Sequence, residues 1–247
     1  MPSSRILQFR LMSAKKPTTR SKQVIEDPRE APLYSLSEAA FFVGIPATTL
    51  QKWVYGRDYA AKGEIRHSPR VIVPADAKRG LLSFANLAEA HVLESIRKHR
   101  FSLSEIRDAV DEIRRQFPSE QKHPLLSGDF FRYGKGLFIK TLNETISVSR
   151  PTQGQPTLGD LLDTYLDRIT RDDRDRPVRL FPMRRNERSA VMVDLFIASG
   201  QPVITDTGIL AEFLYERHKT GESIAEIATD YGLDERIVAD AIRYIAA

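Results

Sequence analysis

Tyr34-Ser-Leu-Ser-Glu-Ala-Ala-Phe-Phe-Val-Gly-Ile-Pro-Ala-Thr-Thr-Leu-Gln-Lys-Trp-Val54 is the stretch that decides how this 247-residue chain folds. Ser35 and Glu38 form a capping box: a hydroxyl at a helix start and a carboxylate three residues on. Leu36, Ala39, Ala40 and Val43 then recur at helical spacing. Gly44 permits the left-handed residue that ends a helix, and Pro46 suits the entry to the next. Leu50, Trp53 and Val54 mark the buried face of that second helix. Two short helices joined at a glycine, with apolar Ile45 inside the turn, spell a helix-turn-helix.

Downstream, Ile65, Val71, Ile72, Val73, Leu81 and Leu82 are strand formers around a polar loop at 74–80. This predicts a β-hairpin over 64–83, a wing beside the helix-turn-helix. Helices are expected at 84–98, capped by Ser83, and at 101–117, with Ser102 and Glu105 as a second capping box. Upstream, residues 1–30 hold seven basic residues and no sustained period, and read as a flexible basic arm. The fold class expected is mainly α with small β elements. Its parts are the arm at 1–30, the winged helix-turn-helix at 31–118, an α+β middle segment at 130–188 and a helical C-terminal domain at 189–247. Residues 121–128 read as a linker. Strands are expected within 130–149 and at 178–183 and 190–197. Helices are expected at 158–169, 207–218, 222–230 and 234–245, with a charged loop at 171–176.

With Leu50, Trp53 and Val54 turned inward, the second helix exposes Thr48, Gln51, Lys52 and Tyr55, with Thr49 at its edge. Glutamine can bond adenine bidentately, and threonine can meet a base edge or a thymine methyl. Lys52, Tyr55 and Arg57 suit phosphates, as do Arg66, Arg70, Lys78 and Arg79 on or beside the hairpin, with His67 among them. These residues are the candidate DNA contacts.

The net charge of +4 conceals a gradient. Residues 1–80 carry fourteen basic and seven acidic residues, a net of +7, whereas 189–247 carry four and ten, a net of −6. The C-terminal unit also has a helix-turn-helix outline: Ser223, Ile224 and Ile227 lead through Gly232 and Leu233 to Val238 and Ala241. Its exposed side is rich in Glu222, Glu226, Asp230, Asp234, Glu235 and Asp240, which phosphates repel. A dimer interface or protein contact suits it better than DNA.

Absence of cysteine excludes disulfides and thiolate metal sites. No GxGxxG or GxxxxGK[ST] occurs, and five scattered histidines show no metal-binding spacing. Asp160, Asp163 and Asp167 share a helix face that most simply stays solvated. No apolar run reaches the ~18–20 residues of a membrane span. The expectation is a non-enzymatic protein with no cofactor, no metal and no membrane partner.

Residues 34–115 resemble the winged helix-turn-helix of MerR-type regulators. Gln51 stands where those proteins usually carry Arg, and their long dimerising helix is missing. The segments Ser199-Gly-Gln-Pro-Val-Ile204, Thr207-Gly-Ile209 and Gly221-Glu-Ser-Ile-Ala-Glu-Ile-Ala228 are similar to a small domain of VapB-type antitoxins. The combination resembles the long VapB antitoxins, which pair with PIN-domain ribonuclease toxins. The resemblance implies a bacterial cytoplasmic homodimer, nucleoid-associated when repressing. Such a protein would bind operator DNA, repress its own transcription and neutralise the toxin directly. Arg179, Arg184, Arg185 and Arg188, beside Leu180, Phe181 and Met183, are the candidate toxin contacts, because arginine suits a carboxylate-rich nuclease site. The alternative is a MerR-like transcription regulator whose C-terminal region senses a ligand or dimerises, with Phe130, Phe131, Tyr133 and Phe138 as pocket candidates.

Overall fold

A computed structural model of the chain describes residues 27–61, 63–98, 103–116, 122–126, 163–182 and 190–247. The architecture is mainly α with small sheets, as expected. After a two-residue strand β1 (Tyr34–Ser35), helix α1 (Leu36–Val43) opens on the capping box. Ser35 Oγ accepts the Glu38 amide at 3.2 Å, and the Glu38 carboxylate accepts the Ser35 amide at 2.8 Å. Such a cap contributes roughly 0.5–2 kcal/mol. Gly44 closes the helix with φ 77°, and the amides of Gly44 and Ile45 both return to the Ala40 carbonyl. Helix α2 (Ala47–Tyr55) follows, burying Leu50, Trp53 and Val54 against Ala39, Ala40, Phe42 and Val43 of α1.

The wing is a hairpin, but not the one expected over 64–83. Its strands are β2 (Arg57–Ala61) and β3 (Glu64–Ser68), antiparallel, with Arg57 opposite Ser68 and Ala61 opposite Glu64. Val71 and Ile72 form no strand. Their amides cap the end of α2 by donating to the Trp53 carbonyl at 2.7 and 3.0 Å. Strand β4 (Leu81–Leu82) pairs with β1. Val71 and Ile72 mark burial rather than pairing, while the true strand opens with exposed Arg57, Asp58 and Tyr59.

Helix α3 (Phe84–Lys98) begins as expected. Ser83 and Asn86 cap each other, and Asn86 also bonds the Ala75 amide and the Val73 carbonyl, tying the preceding loop to the helix. Helix α4 spans Leu103–Gln116; Ser102, its expected cap, lies outside the described residues. The stretch read as a linker is anchored where it is described: Pro124–Leu126 form one 3₁₀ turn whose Leu125 and Leu126 are buried in the same core as α3 and α4. His123 is buried beside it, with Nδ1 3.1 Å from Glu89 of α3 and Nε2 3.2 Å from Glu30.

A four-stranded antiparallel sheet comes next, in order β5 (Ile169–Arg171), β6 (Pro177–Leu180), β7 (Val191–Asp194) and β8 (Pro202–Ile204). Residues 169–171, expected at a helix end and loop start, are therefore strand. Asp172 holds the β5–β6 turn. It accepts the amides of Arg174 and Arg176 and the guanidinium of Arg176, and this keeps its carboxyl far below the usual range. The boundary expected at 188/189 falls in the connection between two paired strands, β6 and β7. The strands expected within 130–149 and most of the helix at 158–169 lie outside the described residues.

Helices α5 (Ala211–Lys219), α6 (Ile224–Tyr231) and α7 (Glu235–Ala246) complete the chain. They share a second core with Val191 and Ile204, while Val193 and Leu180 of the same sheet join the first core. Two buried tyrosines fasten the halves together. Tyr34 donates its hydroxyl to the Gly200 carbonyl at 3.0 Å, and Tyr244 of α7 donates to the Phe42 carbonyl at 3.2 Å with its ring edge-on to Phe41.

Candidate nucleic-acid interface

The face of α2 opposite its buried stripe is open. Thr48, Gln51, Lys52 and Tyr55 are exposed, and Thr49 is half-buried with its amide spent on the Pro46 carbonyl. Thr48, Gln51, Lys52 and Tyr55 lie three, one and three residues apart along α2, so they form one stripe along the helix.

Gly56 joins this helix to the wing. Its φ of 77° and ψ of −167° are open to glycine, and a Cβ there would overlap the Ser68 carbonyl and touch the His67 ring. The wing therefore leaves α2 at a fixed angle. Its base is held from the far side by Arg107 of α4, which donates to Ser68 Oγ at 2.8 Å.

The two faces of the hairpin differ in chemistry. Cross-strand pairs share a face, so Arg57, Tyr59 and Arg66 stand together, with the Arg57 guanidinium 5.8 Å from the Tyr59 ring centre. The opposite face carries Asp58 bonded to His67 at 2.7 Å, and Ala60 across from Ile65. Arg66 also lies 3.9 Å from Glu64, an exposed pair that holds it weakly.

A second basic element flanks the end of α2. The Asp76 carboxylate accepts the amides of Lys78 and Arg79 at 2.9 and 3.0 Å, shaping a tight turn closed by paired bonds between Asp76 and Leu81. The Tyr55 hydroxyl packs against this turn: a Cβ on Gly80 would lie 2.9 Å from it. Lys78 and Arg79 are exposed there, as is Arg70 just before the capping residues Val71 and Ile72. Every candidate DNA contact thus belongs to the second helix, the hairpin or the turns that abut them. Tyr59 joins them unforeseen; its only signal was an aromatic residue two places from an arginine.

The C-terminal unit repeats the geometry of the first with other chemistry. Ser223 and Glu226 form a capping box, Gly232 closes α6 with φ 64°, and the Leu233 amide returns to the Ala228 carbonyl as Ile45 does to Ala40. Val238 and Ala241 are fully buried, at the offsets from the glycine that Leu50 and Trp53 hold. Many of its carboxylates have structural work. Arg217 binds Glu222 and Asp230 and stacks on Tyr231, Glu226 and Asp234 cap helices, and Asp240 pairs with Arg243 at 2.8 Å. Where α2 offers Gln51 and Lys52, α7 offers Ala239 and Asp240.

Of the candidate toxin contacts, Arg179 is half-buried on β6 and its Nε donates to Asp194 at 2.8 Å. Arg184, Arg185 and Arg188 lie outside the described residues, as do Asp160 and the arm at 1–26. Among the described residues, no cluster of His, Asp or Glu could hold a metal ion, and no helix is long and apolar enough to cross a membrane.

Comparison with known proteins follows this division. Residues 32–110 match a family described as a putative DNA-binding helix-turn-helix domain, and residues 191–245 match a protein family of unknown function, DUF433. A Mycobacterium tuberculosis H37Rv protein named "Putative antitoxin VapB45" is 24% identical over 232 residues, which cover 88% of this chain and 95% of that one. A second protein of the same strain, Rv2308, is 25% identical over 230 residues, 86% of this chain and 89% of the other. The crystal structure of Rv2018 from Mycobacterium tuberculosis shares the fold, with a TM-score of 0.65 at 23% identity, covering 86% of this chain and 98% of that chain.

Proposed function

We propose that this chain, which is similar over most of its length to the protein named "Putative antitoxin VapB45" and carries the helix-turn-helix and DUF433 matches, is an antitoxin that represses its own transcription. Its winged helix-turn-helix grips operator DNA, as one half of a homodimer, with α2 in the major groove. Its C-terminal half holds a PIN-domain ribonuclease inactive. The observation that carries the DNA part is the joining of α2, the wing and the Lys78–Arg79 turn into one exposed basic surface. Gln51 and Thr48 read bases, and Lys52, Arg57, Arg66, Arg70, Lys78 and Arg79 hold phosphates. Such a grip releases counterions, so the association constant falls steeply with salt.

Duplexes selected by the protein from a random-sequence pool provide the test. Gln51→Ala with Lys52→Ala is expected to lower affinity for the selected duplex by about 100-fold, since each good base contact is worth about 1–3 kcal/mol. The melting midpoint should not move, because both side chains are exposed. Parental binding by the double variant would remove α2 from the interface.

The toxin part rests on the similarity to a named antitoxin and on the arginine-rich run that follows β6. Co-expression with the product of the adjacent gene should give a stable complex and restore growth that the neighbour alone arrests. Arg184→Glu with Arg185→Glu is expected to weaken that rescue by at least tenfold in toxin tolerated, while leaving affinity for the selected duplex unchanged. Full rescue by this variant would move the toxin contact elsewhere.

A further inference from the structure

The tip of the wing has a feature that phosphate binding leaves unused. Ile65 is 82% exposed, the most exposed large apolar side chain among the described residues. It lies two residues past the turn glycine, Gly63, and faces only the small Ala60 across the hairpin. Ile65 belongs to neither buried core, so strand propensity accounts for its β-branched shape while no packing accounts for its apolar surface. Single exposed apolar residues are common on protein surfaces; this one stands near the end of a projecting hairpin that carries Arg57 and Arg66, with Asp58 and Glu64 as its acidic members. Arg66 is its neighbour in sequence, and Arg57 and Tyr59 stand on the opposite face of the hairpin. The wing departs from the end of the DNA-facing helix at the angle that Gly56 sets.

We propose that the wing enters the minor groove beside the major-groove site of α2, and that Ile65 acts there as a wedge between base pairs and bends the duplex. This rests on reading α2 as the DNA-contacting helix. A two-stranded ribbon entering a groove edge-on sets one face toward each wall. Arg57, Tyr59 and Arg66 face one sugar–phosphate wall, where the cations meet the negative potential of a narrow groove. Ile65 lies two residues from the turn, so the tip carries it to the groove floor, where its side chain meets the base step. An apolar side chain that partly unstacks a step costs free energy, and the bend that results returns it by bringing flanking phosphates onto more protein. Lys78, Arg79 and Arg70 are placed to receive them. The cost depends on the step, being lowest at flexible pyrimidine–purine steps, so Ile65 adds sequence preference at a position where no hydrogen bond is made.

The test uses a selected duplex of about 30 base pairs carrying a fluorophore at each end. A second duplex carries 2-aminopurine at the flanking step. The full-length protein is expected to bring the ends together and to raise 2-aminopurine fluorescence. Ile65→Ser should abolish both signals and weaken binding about tenfold at an unchanged melting midpoint, and Ile65→Leu should restore both. If Ile65→Ser bends the duplex as the parent does, while Gln51→Ala with Lys52→Ala abolishes binding, the wedge is overturned and the DNA-binding reading stands. If the parent selects no duplex from the pool, both are overturned.

Discussion

Gly200→Ala is expected to destabilise the protein by about 4 kcal/mol, more than any surface change discussed above. Three costs combine. Gly200 has φ 74°, where a side chain costs roughly 1–2 kcal/mol. A Cβ there would overlap the Tyr34 hydroxyl, and Tyr34 is wholly buried, so the ring cannot step aside into solvent. Moving it breaks the bond from Tyr34 to the Gly200 carbonyl and leaves polar groups unpaired, at about 1–3 kcal/mol. Little relief is available locally, because Ala198 and Ser199 already hold positive φ of 47° and 55°. Tyr34→Phe alone should cost about 1 kcal/mol. In the Gly200→Ala background it should cost less than that, because it removes the atom that clashes; such coupling runs to about 0.5–3 kcal/mol between touching residues. Urea unfolding of the four proteins closes the cycle. Gly200→Ala within about 0.5 kcal/mol of the parent would mean that the turn and Tyr34 are not locked together.

That lock also explains how far the sequence could be read. The helix-turn-helix was legible because its signals are local: Ser35 caps Glu38, Gly44 ends the helix, and Leu50, Trp53 and Val54 keep a period. The C-terminal helices were legible for the same reason. The wing lies elsewhere than expected because Arg57-Asp58-Tyr59-Ala60 is exposed and shows no apolar alternation, whereas Val71-Ile72-Val73 looks like a strand and its first two amides cap a helix instead. Residues 122–126 read as linker because three residues, Pro124-Leu125-Leu126, carry too little pattern to announce a buried turn. Tyr34 and Gly200 are 166 residues apart, and Tyr244 and Phe42 are 202 apart. No periodicity reports such a pair, so the joining of the two halves through one sheet and two tyrosines appears only in three dimensions. The candidate DNA contacts fall on one surface although the wing lies elsewhere than expected, because charge and exposure mark them. Both properties follow from residue type whichever strand carries them.

His123 is expected to give the protein a stability plateau with a falling limb on each side. It is buried between Glu89, itself 1% exposed, and Glu30, which Lys122 also binds. Burial opposes the imidazolium, but hydrogen bonds from it to Glu30 and Glu89 prevail and raise its pKa from 6.5 to about 9. Burial likewise opposes the Glu30 carboxylate, and bonds from His123 and Lys122 prevail, lowering its pKa from 4.5 to about 2. A raised pKa means that the folded state binds a proton the unfolded state has released. His123 therefore contributes its full stabilisation below pH 6.5 and loses it as pH rises through about 9. Glu30 contributes fully above pH 4.5 and loses its share as pH falls toward 2. The plateau lies between, and the melting midpoint should fall from pH 6.5 to pH 9.5. His123→Ala should cost about 3–5 kcal/mol at pH 6, since it leaves the Glu89 carboxylate buried without the cation that faces it. It should also flatten the alkaline limb, because the imidazole that holds its proton up to about pH 9 in the folded state is gone. A variant that lowers stability equally at pH 6 and pH 9.5 would assign His123 to packing and take the charge out of the account.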